Sequence, residues 1–257
     1  TVVIRDITME CTSVPGFGLN HTWRIGLESR YSKWSLDKTS YEVPVILSVH
    51  GPGSYQASTI GGQEVYITGD FFGPRSRGIV SPHIVAKYGQ YPRAWLPGEI
   101  FFPPYYPSCT ISIGHTQLTC ITTPGVGKNH SWEILIAHQA PKLPIFHGGT
   151  SYGPPIIYEI VNENGTPLSA AKTEGGGLLI VRGNNFGLRN DILPPSVIYK
   201  QRKGSKETRN TSSFSGRACN VSIPHTEVMC FTMPGAGESY LLEMKIAGQV
   251  SVVASTS

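Results

Sequence analysis

Five cysteines and eight histidines are the side chains of this chain best equipped for chemistry, and only the cysteines are arranged for it. Cys109-Thr-Ile-Ser-Ile-Gly-His-Thr-Gln-Leu-Thr-Cys120 returns as Cys219-Asn-Val-Ser-Ile-Pro-His-Thr-Glu-Val-Met-Cys230. Thiols paired in this way can form disulfides or hold a metal. No His-x3-His or Cys-x2-Cys spacing accompanies them, so no metal site is assigned. His115 and His225 fall in the middle of the two cysteine segments, while His21 and His130 lie inside Asn-X-Thr/Ser triplets. Asp70-Phe71-Phe72-Gly73 echoes a kinase triplet, but its counterpart further on is Asn184-Asn185-Phe186-Gly187, and it reads as a turn. Gly175-Gly176-Gly177 precedes no helix whose N-terminus could hold a phosphate. No catalytic or cofactor-binding residue is assigned. The chain is expected not to be an enzyme and to need no cofactor, covalent N-glycans apart.

Hairpin geometry favours disulfides. A two-residue turn at Gly114-His115 places 113 opposite 116 and, further out, Cys109 opposite Cys120; Pro224-His225 does the same for Cys219 and Cys230. Directly opposed residues on antiparallel strands have Cβ atoms ~4.5–5.5 Å apart, close to what a disulfide needs. The alternative is a pair of buried free thiols in each copy.

The cysteines also expose a repeat. Cys120-Ile-Thr-Thr-Pro124-Gly125-Val-Gly127 and Cys230-Phe-Thr-Met-Pro234-Gly235-Ala-Gly237 share their punctuation, and Cys11-Thr-Ser-Val-Pro15-Gly16-Phe-Gly18 is a third, partial copy. Cys11 to Cys120 is 109 positions and Cys120 to Cys230 is 110, a period the size of a whole domain. In the first copy the same hairpin puts the turn at Arg5-Asp6 and the expected partner of Cys11 immediately before Thr1. Residues 1–40 thus read as the closing half of a domain, with a Trp23–Leu27 strand. Val2, Ile4, Ile7, Trp23 and Ile25 would lie bare without further strands, from preceding residues or from a neighbouring chain.

Five sequons occur, at Asn20, Asn129, Asn164, Asn210 and Asn220, and all five are candidate glycosylation sites. Asn20 and Asn129 are 109 positions apart, each just after a Pro-Gly-X-Gly turn. Paired cysteines and abundant sequons together predict an oxidising, glycosylating compartment, outside the cell or at its surface.

The elements between these landmarks read as strands. With 29 glycines, 20 prolines and 15% charged residues, the chain is punctuated by turns every 8–12 positions, as in an all-β sandwich or barrel. Pro44–Val49, Gly61–Gly69 and Ile84–Tyr88 are expected strands, repeated as Pro155–Ile157, Gly176–Gly183 and Val197–Tyr199. No apolar run reaches the 18 residues of a membrane span. The net charge of +4 says little about partners.

The order Gly61-Gly62, Ile67-Thr68-Gly69, Phe72-Gly73, then Cys-x10-Cys, then Thr-x-Pro-Gly-x-Gly, repeated along the chain, resembles the IPT/TIG domain family. The resemblance covers essentially all of it. It implies tandem immunoglobulin-like β-sandwiches in a rod-like array: the second half of one domain at 1–40, then complete domains at 41–151 and 152–257. The family includes stretches of cell-surface ectodomains such as those of plexins, intracellular Rel-type DNA-binding factors, and modules of starch-acting enzymes.

Two segments stand apart. The insert Pro92–Pro107 departs from the family pattern and holds Trp95, Phe101, Phe102, Tyr105 and Tyr106, which make either a recognition patch or a loop folded over its own sandwich. The basic run from Lys200 to Arg209 reads as a solvated loop, and a glycan on Asn210 beside it would keep DNA phosphates away. Trp23 and Trp132 recur at the same phase, which argues for a core role. The reading is a non-enzymatic structural or adhesive array, spacing or building a surface filament, whose partners are further copies of its own domain or a protein or glycan ligand. The alternatives are the stalk of a signalling receptor and an accessory module of a carbohydrate-acting enzyme.

Overall fold

The computed structural model describes residues 2–4, 7–75, 82–90, 104–141, 145–168, 171–190, 194–201, 213–236 and 240–253. Four short strands open the chain: β1 (Val2–Ile4) pairs with β2 (Thr8–Met9), and β3 (Gly26–Leu27) with β4 (Arg30–Tyr31). Seven more follow: β5 (Val45–His50), β6 (Glu64–Asp70), β7 (Ile84–Gly89), β8 (Ser108–Ile113), β9 (Gln117–Ile121), β10 (His130–Ile136) and β11 (Phe146–Thr150). They form a four-stranded sheet ordered β5-β6-β9-β8 and a three-stranded sheet ordered β11-β10-β7. That is the strand order of a constant-type immunoglobulin sandwich.

The plan repeats in β12 (Ile156–Val161), β13 (Leu178–Asn184), β14 (Ser196–Gln201), β15 (Ser213–Ser215), β16 (Arg217–Ile223), β17 (Glu227–Phe231), β18 (Tyr240–Ile246), β19 (Gln249–Val250) and β20 (Val252–Val253). One sheet is ordered β16-β17-β13-β12-β20 and the other β15-β14-β18-β19. The last strand is shared: β19 pairs with β18, and β20 then crosses to lie parallel to β12 in the opposite sheet. Among the described residues there is no helix.

Alternation builds both cores. Val65 and Ile67 of β6 and Leu118 and Cys120 of β9 face Ala86, Tyr88, Trp132, Ile134 and Ile136 of the other sheet. In the second sandwich Leu179, Val181, Val228 and Cys230 meet Val197, Met244 and Ile246. The strand-ending glycines have a steric reason. A Cβ on Gly69 would stand 1.9 Å from the Val45 carbonyl oxygen, and one on Gly183 1.8 Å from that of Ile156. Both lie beside a bulge in the neighbouring strand.

Three expectations are corrected. The hairpin turns have three residues rather than two: Ile113 opposes Gln117, and a bulge at Ser112 then restores Cys109 opposite Cys120. His115 takes a left-handed φ of 69°, and His225 one of 66°. Phe72 and Phe186, read only as turn residues, are fully buried core plugs. Trp23 is 50% exposed while Trp132 is 0% exposed, because no opposing sheet covers Trp23 among the described residues.

Candidate functional site

Disulfides join Cys109 to Cys120 and Cys219 to Cys230, each across neighbouring strands of one sheet and each 11 positions apart. Such bonds persist in oxidising compartments and favour an extracellular location. Cys11 is exposed and unpaired, two residues beyond β2, whose Met9 opposes Val2.

The sequon asparagines differ in setting. Asn20 and Asn129 are both exposed, with left-handed φ of 59° and 56°, and their amides donate to the hydroxyls of Ser40 and Ser151. Asparagine tolerates this conformation better than most residues. Asn164 is exposed in a turn where its amide donates to the Asn162 side chain. Asn220 is half-buried inside β16, opposite Met229. Asn210 lies outside the described residues, as do Trp95, Phe101, Phe102 and the basic run beyond Gln201. Lys200, at the start of that run, pairs with Glu243 at 3.4 Å.

The insert returns to the sandwich at Tyr105. Its backbone bridges Tyr88 in both directions, and its hydroxyl donates to the Val126 carbonyl at 3.1 Å and accepts from the Val126 amide. Tyr105 is therefore part of the fold, while Tyr106 beside it is 63% exposed.

Around Tyr105 lies a cluster of aromatic rings and polar groups. Tyr88 stacks on Trp132 at 4.6 Å, and His130 is ringed edge-on by Tyr88, Tyr105 and Tyr152 at 5.5–5.8 Å. The Tyr152 hydroxyl donates to the Thr123 carbonyl and lies within hydrogen-bond reach of the Tyr88 hydroxyl. Burial raises the pKa of the Tyr152 and Tyr105 phenols, so both stay protonated. His130 is 1% exposed. Among the described residues neither of its ring nitrogens finds an aligned hydrogen-bond partner. Burial lowers its pKa to about 4, with the Gly127 and Val126 carbonyls pulling the other way. The ring is neutral at neutral pH and becomes charged only in acid.

Sequence reasoning left His130 as a sequon residue and did not single out Tyr152. The signal was available: His21 and Tyr41 stand 109 and 111 positions earlier and make the same edge-on contact, at 5.4 Å. Tyr41 also donates to the Val14 carbonyl as Tyr152 does to that of Thr123.

No family model matches the chain, and no curated protein matches it in sequence. Among solved structures it overlaps weakly with SGBP-B from a complex xyloglucan utilization locus in Bacteroides uniformis, at 15% identity and a TM-score of 0.27. The overlap takes in 82% of this chain and 48% of the other, so this chain spans about half of that protein's length.

Proposed function

We propose that this chain is a stretch of an extracellular, N-glycosylated array of IPT/TIG-type domains with a non-enzymatic structural role. It spaces or joins other parts at a cell surface, or builds a filament there. Its partners are further copies of the same domain, within the chain or from neighbouring chains.

One observation carries this reading. Two sandwiches with the same core strand order are each closed by the same hairpin disulfide, and the opening segment and the first sandwich expose sequon asparagines, Asn20 and Asn129, at equivalent left-handed positions. A repeated scaffold stabilised by cross-links and displaying glycans suits a load-bearing or spacing element.

Secretion of the chain from eukaryotic cells tests it, using peptide mapping without reduction and mass spectrometry before and after glycosidase. Both disulfides should be recovered, with glycans on Asn20 and Asn129. Free thiols at all four positions and unmodified asparagine at both sequons would overturn the reading.

A further inference from the structure

Two glutamines sit at the same place in two successive hairpins. Ile136-Ala137-His138-Gln139 and Ile246-Ala247-Gly248-Gln249 each form a two-residue turn with positive φ at both central residues, 49° and 66° in one and 48° and 76° in the other. Each glutamine is nearly buried, at 3% and 8% exposure. Each reaches out of its own sandwich to the Pro-Gly-x-Gly turn of the copy before it and to the tyrosine at the junction between the two. Gln139 Oε1 accepts from the Gly18 amide at 2.9 Å, and its Nε2 donates to the Tyr41 carbonyl at 2.9 Å. Gln249 Oε1 accepts from the Gly127 amide at 3.0 Å, and its Nε2 donates to the Tyr152 carbonyl at 2.8 Å.

The surroundings repeat as well. Gly18 and Gly127 have left-handed φ of 99° and 103°, which turn the amide toward the glutamine, and their carbonyls accept from the Tyr41 and Tyr152 amides. Phe17 sits against Gly73, and its counterpart Val126 against Gly187 and the core of the second sandwich. The second joint gains a further contact between His225 Nδ1 and the buried Thr59 hydroxyl at 2.9 Å. The hairpin itself does not require glutamine. Leu27 and Arg30 close the corresponding turn in the first copy with an exposed arginine at this position.

We infer that Gln139 and Gln249 are the positioning residues of a repeated domain-to-domain interface, each reading the backbone of a Pro-Gly-x-Gly turn and a following tyrosine. The partner it fits is another domain carrying that turn and tyrosine. Both hydrogen bonds go to main-chain groups of one rigid turn, so they fix orientation as well as contact. Without such a lock, domains joined by a short linker move relative to one another. A spacer built on this joint is stiff, a purpose that rests on the structural reading above, whereas the geometry does not.

The test is a distance distribution between spin labels at Leu47→Cys and Leu241→Cys, exposed positions in the two sandwiches, in a Cys11→Ser background. The parent should give one narrow distribution. Gln249→Leu should broaden it roughly twofold while circular dichroism keeps both sandwiches folded. Gln249→Glu, which can accept from Gly127 but not donate to Tyr152, should fall between. Gln139→Leu should leave this distance unchanged and free the 7–41 segment to faster amide exchange at Gly18. An unaltered distribution in folded Gln249→Leu overturns the inference. If Gln249→Leu fails to fold, an unaltered distribution in Gln249→Glu does the same. Neither result touches the glycan and disulfide test of the structural reading.

Discussion

The two complete sandwiches share a strand plan but fill one pole differently. In the first, Tyr88, Tyr105, His130, Trp132 and Tyr152 make a sealed cluster. In the second, Tyr199 stacks on Phe214 at 5.5 Å, with Tyr240 edge-on to both, and the place of Trp132 is taken by half-buried Leu242. The telling position is His130. Its equivalents are His21 and Tyr240, and each caps the carbonyl of a Pro-Gly-x-Gly turn: His21 Nε2 lies 3.0 Å from the Phe17 carbonyl, and the Tyr240 hydroxyl donates to that of Ala236 at 2.7 Å. His130 holds the same post without an aligned bond, buried beneath the joint with the next sandwich. Two of the three copies thus keep a polar contact to this carbonyl, and in the third the ring is buried instead.

The largest expected contrast comes from the core ring. Trp132→Ala should cost the first sandwich roughly 3–5 kcal/mol, because a fully buried indole and its stack with Tyr88 are lost together. Leu242→Ala should cost the second only about 1–2 kcal/mol, because that side chain is half-buried. Urea unfolding of each variant measures the difference. Equal losses would mean the two poles are energetically alike.

Acid should separate the sandwiches next. The unfolded His130 ring binds a proton near pH 6.5 and the folded ring only near 4, so the unfolded state takes up protons first. Its contribution to stability is full above about pH 6.5 and is lost as pH falls toward 4, an effect on the order of 3 kcal/mol for this one group. His225 is shifted in the same direction by burial but is only partly covered. Hydrogen exchange followed from pH 7 to pH 4.5 should thus show the first sandwich loosening more than the second. His130→Tyr, which copies Tyr240, should remove most of the difference.

The smallest contrast lies between equivalent tyrosines. Tyr152→Phe should cost about 1–2 kcal/mol, since it strips the partner from a carbonyl inside a buried network. Tyr41→Phe removes the equivalent bond to Val14 in an exposed segment and should cost under about 0.5 kcal/mol. Thermal unfolding of the two variants ranks them.

Much of the fold was legible because its signals are local. Ten residues between cysteines, centred on a turn, fix an antiparallel pair, and alternation from Val65 to Ile67 marks the face turned inward. Even the misjudged turn length left the cysteines opposed, since the bulge at Ser112 cancels the extra turn residue. The polar cluster was less legible. Nothing near His130 in sequence announces burial, because the rings that enclose it come from β7, the insert and the residues after β11.

The sequence by itself determined the all-β class, the repeat, the strand that each landmark ends, and the partner of each cysteine in the two complete copies. These rest on neighbours within a hairpin's reach, where chain geometry leaves few choices. Only the tertiary structure decided that Phe72 and Phe186 plug cores, that His130 is buried, and that Gln139 and Gln249 reach into another domain. Each of those facts depends on groups about 20 to 120 positions away, brought close by the sandwich fold. A buried glutamine and a solvated one have the same side chain. What distinguishes them is whether the backbone of another domain arrives to satisfy both ends of the amide.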